Sequence, residues 1–191
     1  MTTLNDTQIR AAVRDHGMIE PFEPGLVRFG RLSHGLSSYG YDLRLSPNEF
    51  FTFRHVPGTL VDVKQFNPAN LEPAPLHTDD SGTYFILPAH SYGLGVAMER
   101  LKMLPYATGI CLGKSTYARA GIICNTTPAE AGWEGHLTLE FSNSSAADCK
   151  LYACEGVCQI VFLTGEPCAV TYEDRKGKYQ HQSEQVTLPR M

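Results

Sequence analysis

No apolar run in this 191-residue chain approaches the ~20 residues that a membrane-spanning helix requires. The N-terminus, Met1-Thr2-Thr3-Leu4-Asn5-Asp6, has neither the basic nor the apolar stretch of a signal peptide. Both absences predict a cytoplasmic protein. Charge of one sign is also lacking: 16 Lys and Arg against 20 Asp and Glu leave a net −4, no electrostatic footprint for nucleic acid or an anionic membrane. The seven histidines are scattered at positions 16, 34, 55, 77, 90, 136 and 181, without a cupin-like cluster, and none begins an H-x-E. The six cysteines (Cys111, Cys124, Cys149, Cys154, Cys158 and Cys168) form no C-x-x-C pair. Pro167-Cys168 runs on into Ala169, Val170 and Thr171 where a zinc deaminase would carry its second cysteine. These gaps argue against zinc chemistry by protein ligands and predict reduced core thiols.

What is present suits one globular domain. Apolar residues make up 42% and charged residues 19%, and a chain of this length buries roughly 70% of its unfolded surface. We expect a single domain over 1–191, with 173–191 as a C-terminal tail. One helix is signalled at the start: Asn5 with Gln8 fits a capping box, Leu4 with Ile9 fits a hydrophobic staple, and Gly17 ends the run. Beyond it, short strands alternate with turns. Candidates are Tyr41–Leu45, Phe50–Arg54, Thr59–Val63, Tyr84–Leu87, Gly93–Glu99, Thr108–Leu112, Ile122–Asn125, His136–Phe141, Val157–Leu163 and Ala169–Tyr172. That rhythm predicts a mainly β sandwich, jelly roll or barrel. The polar segment Phe66–Gly82, with three prolines, reads as a loop. Ser115–Ala120 reads as a short helix with Ser115 as its cap.

Two pieces concentrate the chemistry. Gly113-Lys114-Ser115-Thr116-Tyr117-Ala118-Arg119 sets two cations and two hydroxyls beside a glycine, groups that suit a phosphate. It is not a P-loop, because the glycine required five residues before Gly113 is Thr108. Taken alone, such a turn is more often solvated surface. Ser115 also lacks the G-x-S-x-G setting of a nucleophile. The second piece, Gly135 to Phe141, alternates with period two. As a strand it turns Leu137, Leu139 and Phe141 to a core and sets Thr138 and Glu140 on the opposite face. Asp42 and Arg44 share a strand face and read as an ion pair supporting the site or as a subunit contact. Trp133 reads as a packing residue.

The runs C-L-G-K-S-T-Y-A-R-A-G-I-I (Cys111 to Ile123) and W-E-G-H-L-T-L-E-F-S-N (Trp133 to Asn143) resemble the dCTP deaminases of the dUTPase superfamily. The likeness continues through H-G-M-I-E-P-F at His16, S-S-Y-G-Y-D-L-R at Ser37, E-G-V-C-Q at Glu155 and K-Y-Q at Lys178. It implies a distorted β jelly roll assembled as a homotrimer, with active sites between subunits. It implies hydrolysis of dCTP to dUTP and ammonia without zinc, with Mg2+ carried on the triphosphate. Glu140 matches the catalytic proton shuttle, and Arg119 and Ser115 the residues that position base and water. Nucleotide contacts match Lys114, Ser115, Thr116, Tyr117, Ala118, Arg119, Thr138, Leu139 and Glu140. Further contacts match Gln159, Tyr172, Lys178 and Gln182, the last two on a tail that closes over the nucleotide. Arg119 is expected to bias Glu140 toward its ionised form. Two alternatives stay open: a bifunctional enzyme that carries dUTP on to dUMP and diphosphate, and a nucleotide-binding trimer without turnover. The tail departs from the family's common K-Y-Q-G-Q-R-G, since His181 stands for a glycine and Ser183-Glu184 for Arg-Gly. A lost cation and a gained carboxylate weaken its expected hold on a triphosphate.

Overall fold

The computed structural model describes residues 2–54, 56–125 and 127–190. The first helix, Asp6–His16, forms as its caps dictate. Asn5 Oδ1 accepts from the Gln8 amide at 2.9 Å while Gln8 Oε1 accepts from the Asn5 amide at 3.0 Å. Gly17 closes the helix at φ 65°, returning its N–H to Val13. Leu4 and Ile9, the two ends of the staple, are both buried. Among the described residues no helix is long and apolar enough to cross a membrane.

The rest is a curled antiparallel sheet. Its spine runs, in spatial order, through Thr2–Thr3, Gly156–Thr164, Gly40–Phe53, Tyr92–Lys102, Glu134–Asn143 and Ile122–Asn125. Ala107–Gly113 joins the far side of Gly156–Thr164. A separate small sheet holds His77–Asp79, Gly82–Leu87 and Cys149–Tyr152. The mainly β class and jelly-roll form expected from the sequence are what the chain adopts. Tyr41–Leu45 and Phe50–Arg54 are halves of one strand, Gly40–Phe53, whose register shifts between Leu45 and Phe50. The irregularity accommodates Pro47, which has no N–H for a ladder. The first half pairs with Gly156–Thr164 and the second with Tyr92–Lys102, so this strand carries the chain from one layer to the other.

Between the layers Phe50 stacks on Phe85 at 5.2 Å and tilts against Phe141 at 5.9 Å. Gly93 and Gly95 make room for that ring, since a Cβ on either would meet a side-chain carbon, of Phe50 or Leu45, at 2.6 Å. Cys158 lies fully buried against Cys111 and Cys124, whose sulfurs, together with the loss of water, hold its thiol well above the ordinary range. Cys149 and Cys154 are half-buried and Cys168 is exposed.

Four local expectations need correction. Thr59–Val63 is irregular and in no strand, with Leu60 and Val63 94% and 69% exposed. Its alternation has no neighbouring strand to pair with. Ala169–Tyr172 is likewise irregular, held by Thr171 and Asp174 bonding to each other's backbone and side chain and by the Tyr172 amide on Ala131 O. Phe66–Gly82 is more ordered than a loop, containing the 3-10 turn Pro68–Asn70 and the strands Leu71–Pro73 and His77–Asp79. The short helix is Ser115–Arg119, with Lys114 rather than Ser115 at its cap and no side-chain capping bond.

Candidate active site

Burial along Glu134–Asn143 alternates strictly, with Leu137, Leu139 and Phe141 in the core. Thr138, Glu140 and Ser142 face the other way. Register sets Leu94 directly across from Glu140 on one side and Asn125 directly across on the other. Glu140 lines a cavity of about 680 Å³ whose wall also includes Thr138, Tyr172, Lys178 and Gln182. Loss of water holds the Glu140 carboxyl above its ordinary range. Tyr92, on the same face, has its phenol pushed up to about 12, by burial first and then by the Glu140 carboxylate.

The Gly113–Arg119 run lies elsewhere. Lys114 Nζ meets Asp42 Oδ2 at 2.5 Å, and Gln159 Nε2 donates to Asp42 Oδ1 at 2.9 Å. Asp42, only 4% exposed, therefore fixes both residues in place. Arg44 pairs instead with Glu99, at 2.6 Å. The expected Asp42–Arg44 pair is thus two separate pairs, each made to another strand or turn. Ser115, Thr116, Ala118 and Arg119 are exposed on the short helix, where Arg119 Nη1 donates to the Ser115 carbonyl at 3.3 Å. Tyr117 points inward, its hydroxyl accepting from the Tyr152 amide at 2.8 Å. Leu139 is fully buried. Any ligand contact by Tyr117 or Leu139 is therefore through the backbone.

One chain thus brings Thr138, Glu140, Tyr172, Lys178 and Gln182 together. It keeps Lys114 and Gln159 on Asp42, and Ser115 and Arg119 outside the cavity. Within the chain, then, Arg119 plays no part in the Glu140 shift, which runs opposite to the ionised bias expected of it. Glu130, Tyr92 and Phe53 also line the cavity and carry no motif that marked them beforehand. Trp133 packs as expected, 4% exposed, but its indole also donates to Tyr179 O at 2.8 Å and anchors the tail.

That tail is bound along the edge of the Glu140 strand. The His181 amide donates to Glu134 O at 2.7 Å and the His136 amide to Gln182 O at 2.9 Å. Thr138 Oγ1 donates to Gln182 Oε1 at 3.4 Å and accepts from the Thr187 amide at 3.1 Å. Glu184, the carboxylate gained against the family pattern, accepts from Ser46 Oγ at 2.6 Å, and Glu49 Oε2 accepts from the Val186 amide at 2.6 Å. The new carboxylate therefore ties the tail to its own chain. His181 sits at φ 57°, the left-handed region that a β-carbon disfavours. His181→Gly is expected to relieve about 1 kcal/mol of that strain. It should slow proteolytic clipping of the tail about fivefold, as read by the cleavage rate of the folded protein.

A curled antiparallel sheet, a half-buried carboxylate in a cavity walled in part by the C-terminal segment, and a separate exposed Lys-Ser-Thr-Arg turn describe a jelly-roll protein with a small-molecule pocket. Among solved structures the chain is similar to a 2′-deoxycytidine 5′-triphosphate deaminase from Agrobacterium tumefaciens. The TM-score is 0.59 at 16% identity, over 85% of this chain and 48% of that one, a likeness of fold. A family profile described as dCTP deaminase-like matches residues 3–165. The chain is 47% identical over 192 residues to a dCTP deaminase of Rhizorhabdus wittichii, covering 100% of both. It is 48% identical over 187 residues to that of Campylobacter lari, covering 97% of this chain and 96% of the other. The chain belongs to the dCTP deaminase-like family.

Proposed function

We propose that this protein is a cytoplasmic hydrolase that converts dCTP and water to dUTP and ammonia, at sites completed between the copies of a homotrimer. The observation that carries the reading is the division just described. Glu140 stands in a cavity with Thr138, Tyr172, Lys178 and Gln182, while Ser115 and Arg119 lie on an exposed helix outside it. A neighbouring copy that presents its Lys114–Arg119 turn to the cavity mouth supplies what one chain leaves separate. Magnesium belongs to the substrate in this scheme, carried on the triphosphate. Among the described residues no group of three His, Cys, Asp or Glu is arranged for a metal ion.

Cytosine C4 is a weak electrophile until N3 gains a proton. Glu140 takes a proton from the attacking water and delivers it to N3, giving a tetrahedral carbon that bears both hydroxyl and amino groups. It then moves the hydroxyl proton to the amino group. The C4–N bond breaks, ammonia leaves and the C4 carbonyl of uracil forms. A single carboxylate in reach of both transfers contributes about 10²–10⁴ in rate. Arg119 and Ser115 of the neighbour hold the water and the base edge, and Lys114, Lys178 and Gln182 contact the phosphates and sugar. Triphosphate binding energy thereby positions the ring.

Two measurements test this. Incubation with dCTP should yield dUTP and ammonia in equal amounts. Accumulation of dUMP and diphosphate would replace the reading with the bifunctional one, and binding without ammonia would refute turnover. The pH profile carries a sign. Burial raises the Glu140 carboxyl, and a nearby guanidinium favours its ionised form. Arg119→Ala should therefore move the acid limb of kcat/KM to higher pH, besides lowering its height.

A further inference from the structure

The two flanks of Glu140 differ in chemistry. On one side the neighbouring strand presents Asn125, whose amide donates to Ser142 Oγ at 3.0 Å. On the other it presents Leu94 and, two pairs along, Tyr92, with Phe53 against Tyr92 edge-on at 5.2 Å. Phe66 continues this wall, edge-on to Phe53 at 6.1 Å, and Val61 and Val63 complete it from the loop above. These six side chains form an apolar wall of the same cavity that Glu140 lines. The cavity, at about 680 Å³, is larger than a pyrimidine ring needs.

Cytosine is asymmetric in the same sense. From C4, one direction leads to N3 and O2, which need hydrogen bonds. The other leads to C5 and C6, which carry only hydrogen. An apolar edge placed against apolar walls leaves no polar group unpaired, and the reverse placement would strand N3 and O2. Resting on the deaminase reading above, we propose that the C5–C6 edge of the pyrimidine faces Leu94, Tyr92 and Phe53. The cavity along that wall then admits a small apolar substituent at C5, which makes 5-methyl-dCTP a substrate alongside dCTP. The chemistry is unchanged: water adds at C4, ammonia leaves, and the 5-methyl-dUTP formed keeps its methyl carbon untouched.

The test compares 5-methyl-dCTP with dCTP in the full-length protein. Burying one methyl should tighten binding about fourfold, measured by calorimetry on the Glu140→Gln variant. Wild-type kcat/KM for the two nucleotides should agree within about tenfold. Val63→Trp, a change on an exposed loop that crowds the apolar wall, should lower the ratio of 5-methyl-dCTP to dCTP turnover by about tenfold. The inference is overturned if dCTP is deaminated and 5-methyl-dCTP is neither bound nor turned over within a hundredfold of it. An unchanged ratio in Val63→Trp overturns it too. Failure to bind either nucleotide would instead bring down the deaminase reading, and this inference with it.

Discussion

Glu140→Gln is expected to lower ammonia release from dCTP by about 10²–10⁴ while nucleotide binding stays within a few-fold of wild type. An amide keeps the shape and hydrogen-bonding reach of the carboxylate but cannot accept the water proton. The same variant carries a prediction for stability with the opposite sign. Burial raises the carboxyl's folded-state pKa above its unfolded value. The stabilising contribution is then complete below the unfolded pKa and lost as pH rises through the folded one. At neutral pH the ionised group is a net cost to folding that glutamine removes. Melting at pH 7 should therefore be equal or higher in Glu140→Gln, with the gap closing toward pH 4. A variant that melts lower at pH 7 would mean that the carboxylate has a structural partner. One that deaminates at near wild-type rate would remove Glu140 from the chemistry.

The largest expected loss of stability lies away from the pocket. Glu99 is fully buried, and accepts from the Arg44 amide at 2.9 Å and from Arg44 Nε at 2.6 Å. Loss of water pushes its carboxyl up, and Arg44 holds it back. The bond ties the Gly40–Phe53 strand to Tyr92–Lys102 where the former changes layers. Arg44→Met leaves Glu99 with no counter-charge and is expected to cost about 3–5 kcal/mol, a large share of the ~5–15 kcal/mol available to a domain. Denaturant midpoints would record it. Arg44→Met with Glu99→Met should recover most of the loss, because two apolar side chains need no partner. A double variant as unstable as the single would show that the site depends on the arginine's other contacts.

The parts legible in the sequence were those set by local rules. The capping box of Asn5 and Gln8 needs four consecutive residues and formed as read. Period-two alternation placed Glu140 opposite the core because a strand's two faces are fixed by the pleat. The same alternation misled at Thr59–Val63, where no adjacent strand completes a ladder. The partner of Lys114 was not legible. Asp42 lies 72 positions away and meets it only because Gly156–Thr164 pairs with both Gly40–Phe53 and Ala107–Gly113. The tail hid its order similarly. Its bonds go to backbone along one strand edge, and to Ser46 and Glu49, 138 and 137 positions away. Composition reports apolar burial and is blind to such bonds. The strain at His181 was legible, since a position where the family commonly has glycine does adopt positive φ.

Subunit complementation tests most directly whether Glu140 of one copy works with Arg119 of the next. Glu140→Gln and Arg119→Ala chains, each impaired alone, would be mixed in equal amounts, unfolded and refolded together, and assayed for ammonia from dCTP. In a closed ring of three, every mixed assembly has one site with both residues intact, so random mixing should restore about a quarter of wild-type activity. Activity no greater than the sum of the separate variants, with mixed assemblies confirmed by mass, would place both residues in one chain's own site and contradict the account.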